Sequence, residues 1–349
     1  MTTRTRNLAP LPNPGTPLPI HTRAELRDTG ASNHEITRQI RDGRLVTLRR
    51  GVLAPPGLHP LDAETVAVVR ALHRDVVVSH AHAARLWRLP EPWGGWPPVA
   101  VTATDGPTRR RDGLHVLVAP CPDDEITADS QGIPVTTLSR TVADCLRTLP
   151  PHDGLAVADA AQRIHGLSTN DVFIALYRQR GWPGVVRART IAALASPRRE
   201  TPLESWSAWA LHDCAVDQPL WQVEILTPAG TFVGRVDCWW PAGVVGESDG
   251  RIKSLLALAE QAGADTNALA DLIAAERHRE QGFRRLGAEV VRWEAGDVRS
   301  SSRALELAGH LNRTLRGRRT FTGRAHPAHA PQVSPIQGRN HPDSVIRGA

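Results

Sequence analysis

The sequence predicts an α/β protein of several domains, on three observations. Its 349 residues are enough for two or three hydrophobic cores. Segments with apolar residues at helical spacing alternate with short Val-rich runs such as Val76–Val78 and Val99–Val101. Pro and Gly clusters separate these segments, and the composition shifts at both ends of the chain.

Residues 1–20 contain Pro10, Pro12, Pro14, Pro17 and Pro19, which predicts a stiff, extended leader. Residues 21–60 form a first unit. Arg23 to Asp28 reads as a short helix stopped by Gly30. Ser32 and Glu35 have capping-box spacing and open a second helix. On it Ile36 and Ile40 stand four apart and make one apolar stripe, and Gly43 ends it. Two short strands follow, from Arg44 and from Gly51, turning at Arg49, Arg50 and Gly51. Helix, turn, helix and basic hairpin is the order of a winged helix-turn-helix, whose second helix enters the major groove of double-stranded DNA. Arg38 and Arg41 then lie on the polar side of that helix, and Arg44, Arg49 and Arg50 face phosphates from the wing. A small helical domain with a solvated Arg face is the other reading of the same residues.

Residues 61–165 read as an α/β middle domain with alternating helices and strands. His80 and His82 form a His-x-His at a helix start; with no third ligand in view, they read as structural. Thr136, Thr137, Arg140, Thr141 and Asp144 are expected to cap and pin a helix. Residues 166–195 read as a helical linker, and residues 196–315 as a final domain in the order helix, three strands, long helix, strand, helix. Trp221, Val223 and Ile225 alternate on its first strand, which predicts one buried face. Residues 316–349 read as a basic, disordered tail.

The stretch from Thr231 to Lys253 concentrates the chemistry. It reads as two strands joined at Pro241-Ala242-Gly243. Asp237 lies on the first, and Glu247 and Asp249 share one face of the second. Carboxylates placed this way form an oxygen cage suited to Mg²⁺, which usually keeps several of its waters. Lys253 is the only lysine among 42 basic residues, and it lies four positions past Asp249. Lysine is a compact point charge whose pKa moves readily, so it can orient or activate a water beside an acidic cluster.

The net charge of +6 is unevenly placed. Residues 1–60 carry nine Arg against four acids, and residues 316–349 carry six against one. The ends are basic and the body is slightly acidic, a pattern that suits nucleic acid or another anionic partner. No apolar run is long enough to span a membrane, and the first residues lack the apolar stretch of a signal peptide. Four widely spaced cysteines lack zinc spacing and are expected as free thiols, which points to a cytoplasmic protein.

Two resemblances follow from these motifs. From Thr201 to Val298 the chain carries T-P-L-E (Thr201 to Glu204), R-V-D (Arg235 to Asp237), E-S-D-G-R-I-K (Glu247 to Lys253), E-R-H-R-E (Glu276 to Glu280) and L-G-A-E-V-V-R-W (Leu286 to Trp293). In this order they resemble the PD-(D/E)XK nuclease superfamily, nearest to its Vsr-like branch. The resemblance implies that Asp237 and Glu247 hold Mg²⁺ and that Glu204 reaches the metal or its water. The metal would activate water and stabilise charge at a scissile phosphate. The superfamily places Lys two residues after the acid; here that slot is Asp249, and Lys253 is the candidate substitute.

The N-terminal part carries R-D-G-R-L-V-T-L-R-R-G-V-L-A (Arg41 to Ala54), V-V-S-H-A-H-A-A (Val77 to Ala84) and G-I-P-V-T-T-L-S-R-T-V-A-D (Gly132 to Asp144). It resembles the AbiEi-type antitoxins of type IV toxin–antitoxin systems. That resemblance implies a winged helix that represses transcription and a following region that neutralises a cognate toxin. The expected activity is a DNA-binding protein with a Mg²⁺-dependent endonuclease domain. The alternative is a non-catalytic repressor or antitoxin with a degenerate nuclease fold.

Overall fold

The computed structural model describes residues 18–58, 60–72, 75–111, 113–129, 132–248 and 266–328. The architecture is α/β, with three antiparallel or mixed sheets among the described residues. None of the described helices is long and apolar enough to cross a membrane.

The first unit contains β1 (His21–Thr22), α1 (Arg23–Asp28), α2 (Asn33–Arg41), β2 (Val46–Arg49) and β3 (Val52–Ala54). Its strands lie in the order β1-β3-β2, all antiparallel. Ser32 accepts from the Glu35 N–H and caps α2 as its spacing predicts, while the complete reciprocal box is the one between Thr22 and Glu25 on α1. Ile36 is buried with Leu45 and Leu53, and Ile40 packs beside them, so the apolar stripe faces inward.

The boundary expected near residue 60 is not a break in the core. Val52 and Ala54 of β3 are buried with Ala63, Val66 and Ala67 of α3 (Pro60–Ala71) and with Val78 and Val135 of the next sheet. Arg70 of α3 pairs with Glu25 at 2.5 Å.

The second sheet holds β4 (Val77–Val78), β5 (Val99–Ala103), β6 (Arg109–Arg111), β7 (Leu114–Val118), β8 (Ile126–Ala128) and β9 (Pro134–Thr136), in the order β6-β7-β5-β4-β9-β8. Helix α4 (His80–Leu86) crosses between β4 and β5. His82 is buried, and burial, with Arg85 nearby, lowers its pKa to about 4, so its ring is a neutral part of the packing.

Helix α5 (Leu138–Thr148) is pinned as its polar residues predict but not capped by them, since its N-cap residue Thr137 makes no side-chain capping bond. The Thr136 and Thr141 hydroxyls lie 2.6 Å apart, and Arg140 bonds Asp144 at 3.0 Å and also Glu125. Arg147 and Gln179 complete the ring around Asp144. Trp182 lies 5.0 Å from the guanidinium carbons of both Arg140 and Arg147.

Residues 166–195 are not a linker. Helices α6 (Pro151–His165), α7 (Thr169–Arg178) and α8 (Val185–Leu194) belong to one buried layer with α5. Val172, Leu176, Ala188 and Ile191 are all buried in it. The Gly and Pro around Trp182 punctuate the segment without releasing it, because its apolar residues have a partner that the local sequence does not display.

The last unit holds α9 (Pro202–Asp213), β10 (Leu220–Leu226), β11 (Phe232–Trp240), β12 (Val244–Ser248), α10 (Thr266–Arg285), β13 (Glu289–Trp293), α11 (Ala295–Arg299), α12 (Ser301–Arg316) and β14 (Arg324–Pro327). Its sheet runs β13-β12-β11-β10-β14, with β12 and β13 parallel and the other pairs antiparallel. Helices α9 and α12 cover one face, together with Trp221, Cys238, Trp240, Val244 and Trp293. Phe283 in the last turn of α10 and Leu286 just past it cover the other, over Val223, Ile225, Val236, Trp239 and Val245.

Trp221, Val223 and Ile225 therefore do not share a face. Gln222 has φ of 53° within β10, and the alternation reverses there. The partner strand reverses at the same level, with Val236 on one face and Cys238 on the other.

The tail is also ordered further than its composition predicts. β14 pairs with β10, and Phe321 packs on Trp239 at a centroid distance of 4.6 Å. Backbone pairing to an open edge needs no hydrophobic pattern, so a polar Arg-Ala-His-Pro strand covers β10. Ending the chain after Gly317 is expected to lower stability by ~2 kcal/mol, the burial lost with Phe321 and the strand. Urea unfolding measures this, and an unchanged midpoint would show that β14 adds nothing.

Candidate functional site

The site forms where β12 parts from β11, while β10 and β11 stay paired. Cys238–Gly246 is the last paired position between β11 and β12. One step beyond it, Asp237 and Glu247 stand on neighbouring strands. The Asp237 carboxylate takes the place of the missing rung: its Oδ2 accepts from the Ser248 N–H at 2.9 Å and from the Ser248 hydroxyl at 2.7 Å. Gly246 is required beside it, since a Cβ there would lie 2.5 Å from the Trp293 ring and 2.9 Å from Cys238.

Glu204 enters from α9. Thr201 caps that helix, accepting from the Glu204 N–H, and its hydroxyl donates back to Glu204 Oε1 at 2.9 Å. Glu204 Oε2 accepts from the Glu200 N–H at 3.1 Å and from Gln222 Nε2 at 3.0 Å. Glu204, Asp237 and Glu247 are all buried.

Burial and the nearby Asp237 carboxylate raise the Glu204 pKa from 4.5 to about 7. Glu247 also rises to about 7, through burial and Asp237, although Arg279 opposes the shift. Arg279 Nη1 lies 3.2 Å from Glu247 and donates to the Arg235 carbonyl at 2.7 Å. Glu276 holds the other side of the Arg279 guanidinium through two bonds, at 2.6 and 2.9 Å.

The carboxylates supply hard oxygen donors with too little positive charge among them, which is donor chemistry that fits Mg²⁺. Among the described residues, no group of three or more His, Cys, Asp or Glu side chains is spaced to hold a metal ion. Asp237 and Glu247, with waters, are the residues that would hold one, since Mg²⁺ commonly needs only one or two protein carboxylates. Asp249 and Lys253 lie outside the described residues.

Gln222, Ser248 and Arg279 are site residues that sequence reasoning missed. Arg279 falls inside the E-R-H-R-E motif, and its spacing from Glu276 was the available signal. Nothing in the strand pattern marks Gln222. A non-glycine residue in the left-handed region costs about 1–3 kcal/mol and gathers at functional sites.

In the N-terminal unit, Arg38 and Arg41 lie on α2 with largely exposed side chains. Glu35 approaches Arg38 at 4.0 Å and Asp42 approaches Arg41 at 3.6 Å. Arg44 precedes β2, and Arg50 is the exposed tip of the β2–β3 turn. Arg49 is drawn toward α3, where Glu64 lies 3.5 Å from it.

No protein-family model matches the chain, and no curated protein matches it.

The raised Glu204 pKa has a consequence for stability. The folded state keeps this proton up to about pH 7, whereas the unfolded chain releases it near 4.5. The associated stability is full below about 4.5 and is lost as pH rises through 7. Wild type is therefore expected to lose ground to Glu204→Gln across that window in metal-free buffer, by at most about 3 kcal/mol. Urea unfolding at several pH values reads this. A constant difference between the two proteins would remove the shared-charge account of the site.

Proposed function

We propose that the chain is a DNA-binding protein whose C-terminal unit is a metal-dependent phosphodiesterase of the PD-(D/E)XK type. The observation that carries this reading is that α9, β11 and β12 each bring one buried acidic side chain to the same end of one sheet. The order of helix, three strands, helix and parallel strand agrees with it.

In this reading Asp237 and Glu247 hold Mg²⁺, and the ion supplies an activated water and charge neutralisation at the phosphate. The Ser248 bonds fix one Asp237 oxygen and leave the other for the ion. Glu204, with a pKa of about 7, exchanges a proton readily near neutrality and suits a role in moving one at the attacking water. Arg279 stays charged and offers positive potential beside Glu247.

The N-terminal unit is proposed as a winged helix on duplex DNA. α2 would be the groove helix, and Arg38, Arg41, Arg44, Arg49 and Arg50 its basic contacts. A second reading has one observation in its favour. Arg279 already stands as a fixed counter-cation on Glu247, which would suit a non-catalytic repressor or antitoxin with a toxin partner and no metal.

Nicking of supercoiled plasmid with Mg²⁺ or Mn²⁺ separates the two. Wild type is expected to cut, and Asp237→Asn to lose at least ~100-fold while remaining folded. Equal cutting by both would move the site elsewhere, and no cutting by wild type would favour the repressor. A parallel salt series tests the N-terminal unit. Replacing Arg38 and Arg41 with Ala should weaken duplex binding and lower the slope of log affinity against log salt by up to ~2. An unchanged slope would remove α2 from the interface.

A further inference from the structure

The three carboxylates leave Gln222 unexplained, although it is the most unusual residue near them. Gln222 is 4% exposed, and its backbone is left-handed inside a strand. The pairs that flank it are Trp221–Cys238 and Val223–Val236, so it lies opposite Asp237. Both sides of this conformation are fixed. The Ala328 N–H donates to the Gln222 carbonyl at 2.8 Å, and the Arg199 guanidinium covers the Trp221 ring at 5.3 Å.

The side-chain amide has a determined orientation. Nε2 donates to Glu204 Oε2 at 3.0 Å, and turning the amide over would set two oxygens against each other once Glu204 is ionised. The other end, Oε1, is buried and has no hydrogen-bond partner among the described residues. Packing alone would be served by Met or Leu, which bring no orphaned oxygen. A buried acceptor without a donor calls for one, and beside three carboxylates the fitting donor is the water of a hydrated divalent cation.

We propose that Gln222 is a positioning residue of the acidic site: its Nε2 holds the Glu204 carboxylate in place, and its Oε1 accepts from a water carried by the bound cation. The proposal rests on the metal-dependent reading given above, and its first half concerns the metal-free protein. Two groups of one side chain thus serve two purposes, and the strained backbone sets both directions at once. Glycine would relieve the strain but carries neither group.

The full chain carrying Gln222→Met is the test, with two readouts. In metal-free protein, the Glu204 carboxyl signal is followed by ¹³C NMR against pH and assigned by its loss in Glu204→Gln. Removing a donor to the carboxylate should raise its titration midpoint by about one unit. Mn²⁺ affinity, followed by electron paramagnetic resonance, should fall ~10-fold, as for other groups that orient metal ligands.

Should Gln222→Met fail to fold, Gln222→Asn takes its place. Asparagine tolerates left-handed backbone, and its shorter amide no longer reaches Glu204, so the same two changes are expected. An unchanged Glu204 midpoint would overturn the positioning role. A raised midpoint with unchanged Mn²⁺ affinity would overturn the water contact. If wild type binds no Mn²⁺, the metal-dependent reading fails and the water contact fails with it, while the metal-free titration still decides whether Gln222 positions Glu204.

Discussion

Packing carboxylates together inside a protein is the constraint on which the last unit depends. Each buried charge loses hydration, and each neighbour of the same sign adds repulsion. The structure meets this cost in three different ways. Asp237 is given the Ser248 N–H and hydroxyl, Glu204 three donors, and Glu247 the guanidinium of Arg279. Two of the three still have pKa values near 7, so the donors do not cancel the burial and the repulsion. Such a cluster is costly as architecture and useful as chemistry. A set of hydrophobic residues would fill the same space more stably.

The frame that holds Glu204 begins outside its own helix. Asp159 on α6 is buried and takes two bonds from Arg199, at 2.5 and 2.8 Å, with further bonds from the Ser196 N–H and the Ser205 hydroxyl. One residue on, Glu200 pairs with Arg235 of β11 through two bonds of 3.0 Å. Thr201 then caps α9, and Glu204 follows. Within nine residues the chain is tied to the helical layer, to the central strand and to its own helix end. Trp293 adds a bond from the edge strand β13 to Ser207 on α9 at 2.7 Å, so that edge of the sheet is tied to the same helix. Breaking a buried pair such as Asp159–Arg199 leaves an uncompensated charge, which makes this latch a point of high sensitivity.

Much of this was legible in the sequence because the signals were local. The cap at Ser32, the inward Ile36, the Gly243 turn and the strand ending at Ser248 all follow from spacing within a few residues. Asp237 and Glu247 were found because period-two strands and a short turn place them side by side. What escaped depends on partners distant in sequence. Val172 and Ile191 look like residues of a linker until α5 and α6 are placed against them. Phe321 and β14 look like tail until the open edge of β10 is known. The reversal at Gln222 escaped because Trp221, Val223 and Ile225 keep a regular alternation in sequence, and only the backbone shows that it is broken.

Arginine beside the acids changes how any chemistry here must be divided. The nuclease reading proposed above expects a lysine two residues after the second acid, a charge that can also yield a proton. In this chain Asp249 occupies that slot, and among the described residues the cation in contact with Glu247 is Arg279, whose pKa is raised by Glu276 and Glu247 against the cost of burial. A guanidinium in that setting does not deprotonate. It can balance charge on Glu247 and at a bound phosphate, but it cannot act as a base. Under the proposed reading a group that titrates near neutrality would handle the proton, and Glu204 is one that makes no salt bridge of its own among the described residues. Under the proposed reading the division would be an invariant positive charge on α10, ligating carboxylates on β11 and β12, and a proton-exchanging carboxyl on α9. Each function then belongs to a separate element, and the twist at Gln222 and Asp237 is where those elements are brought together.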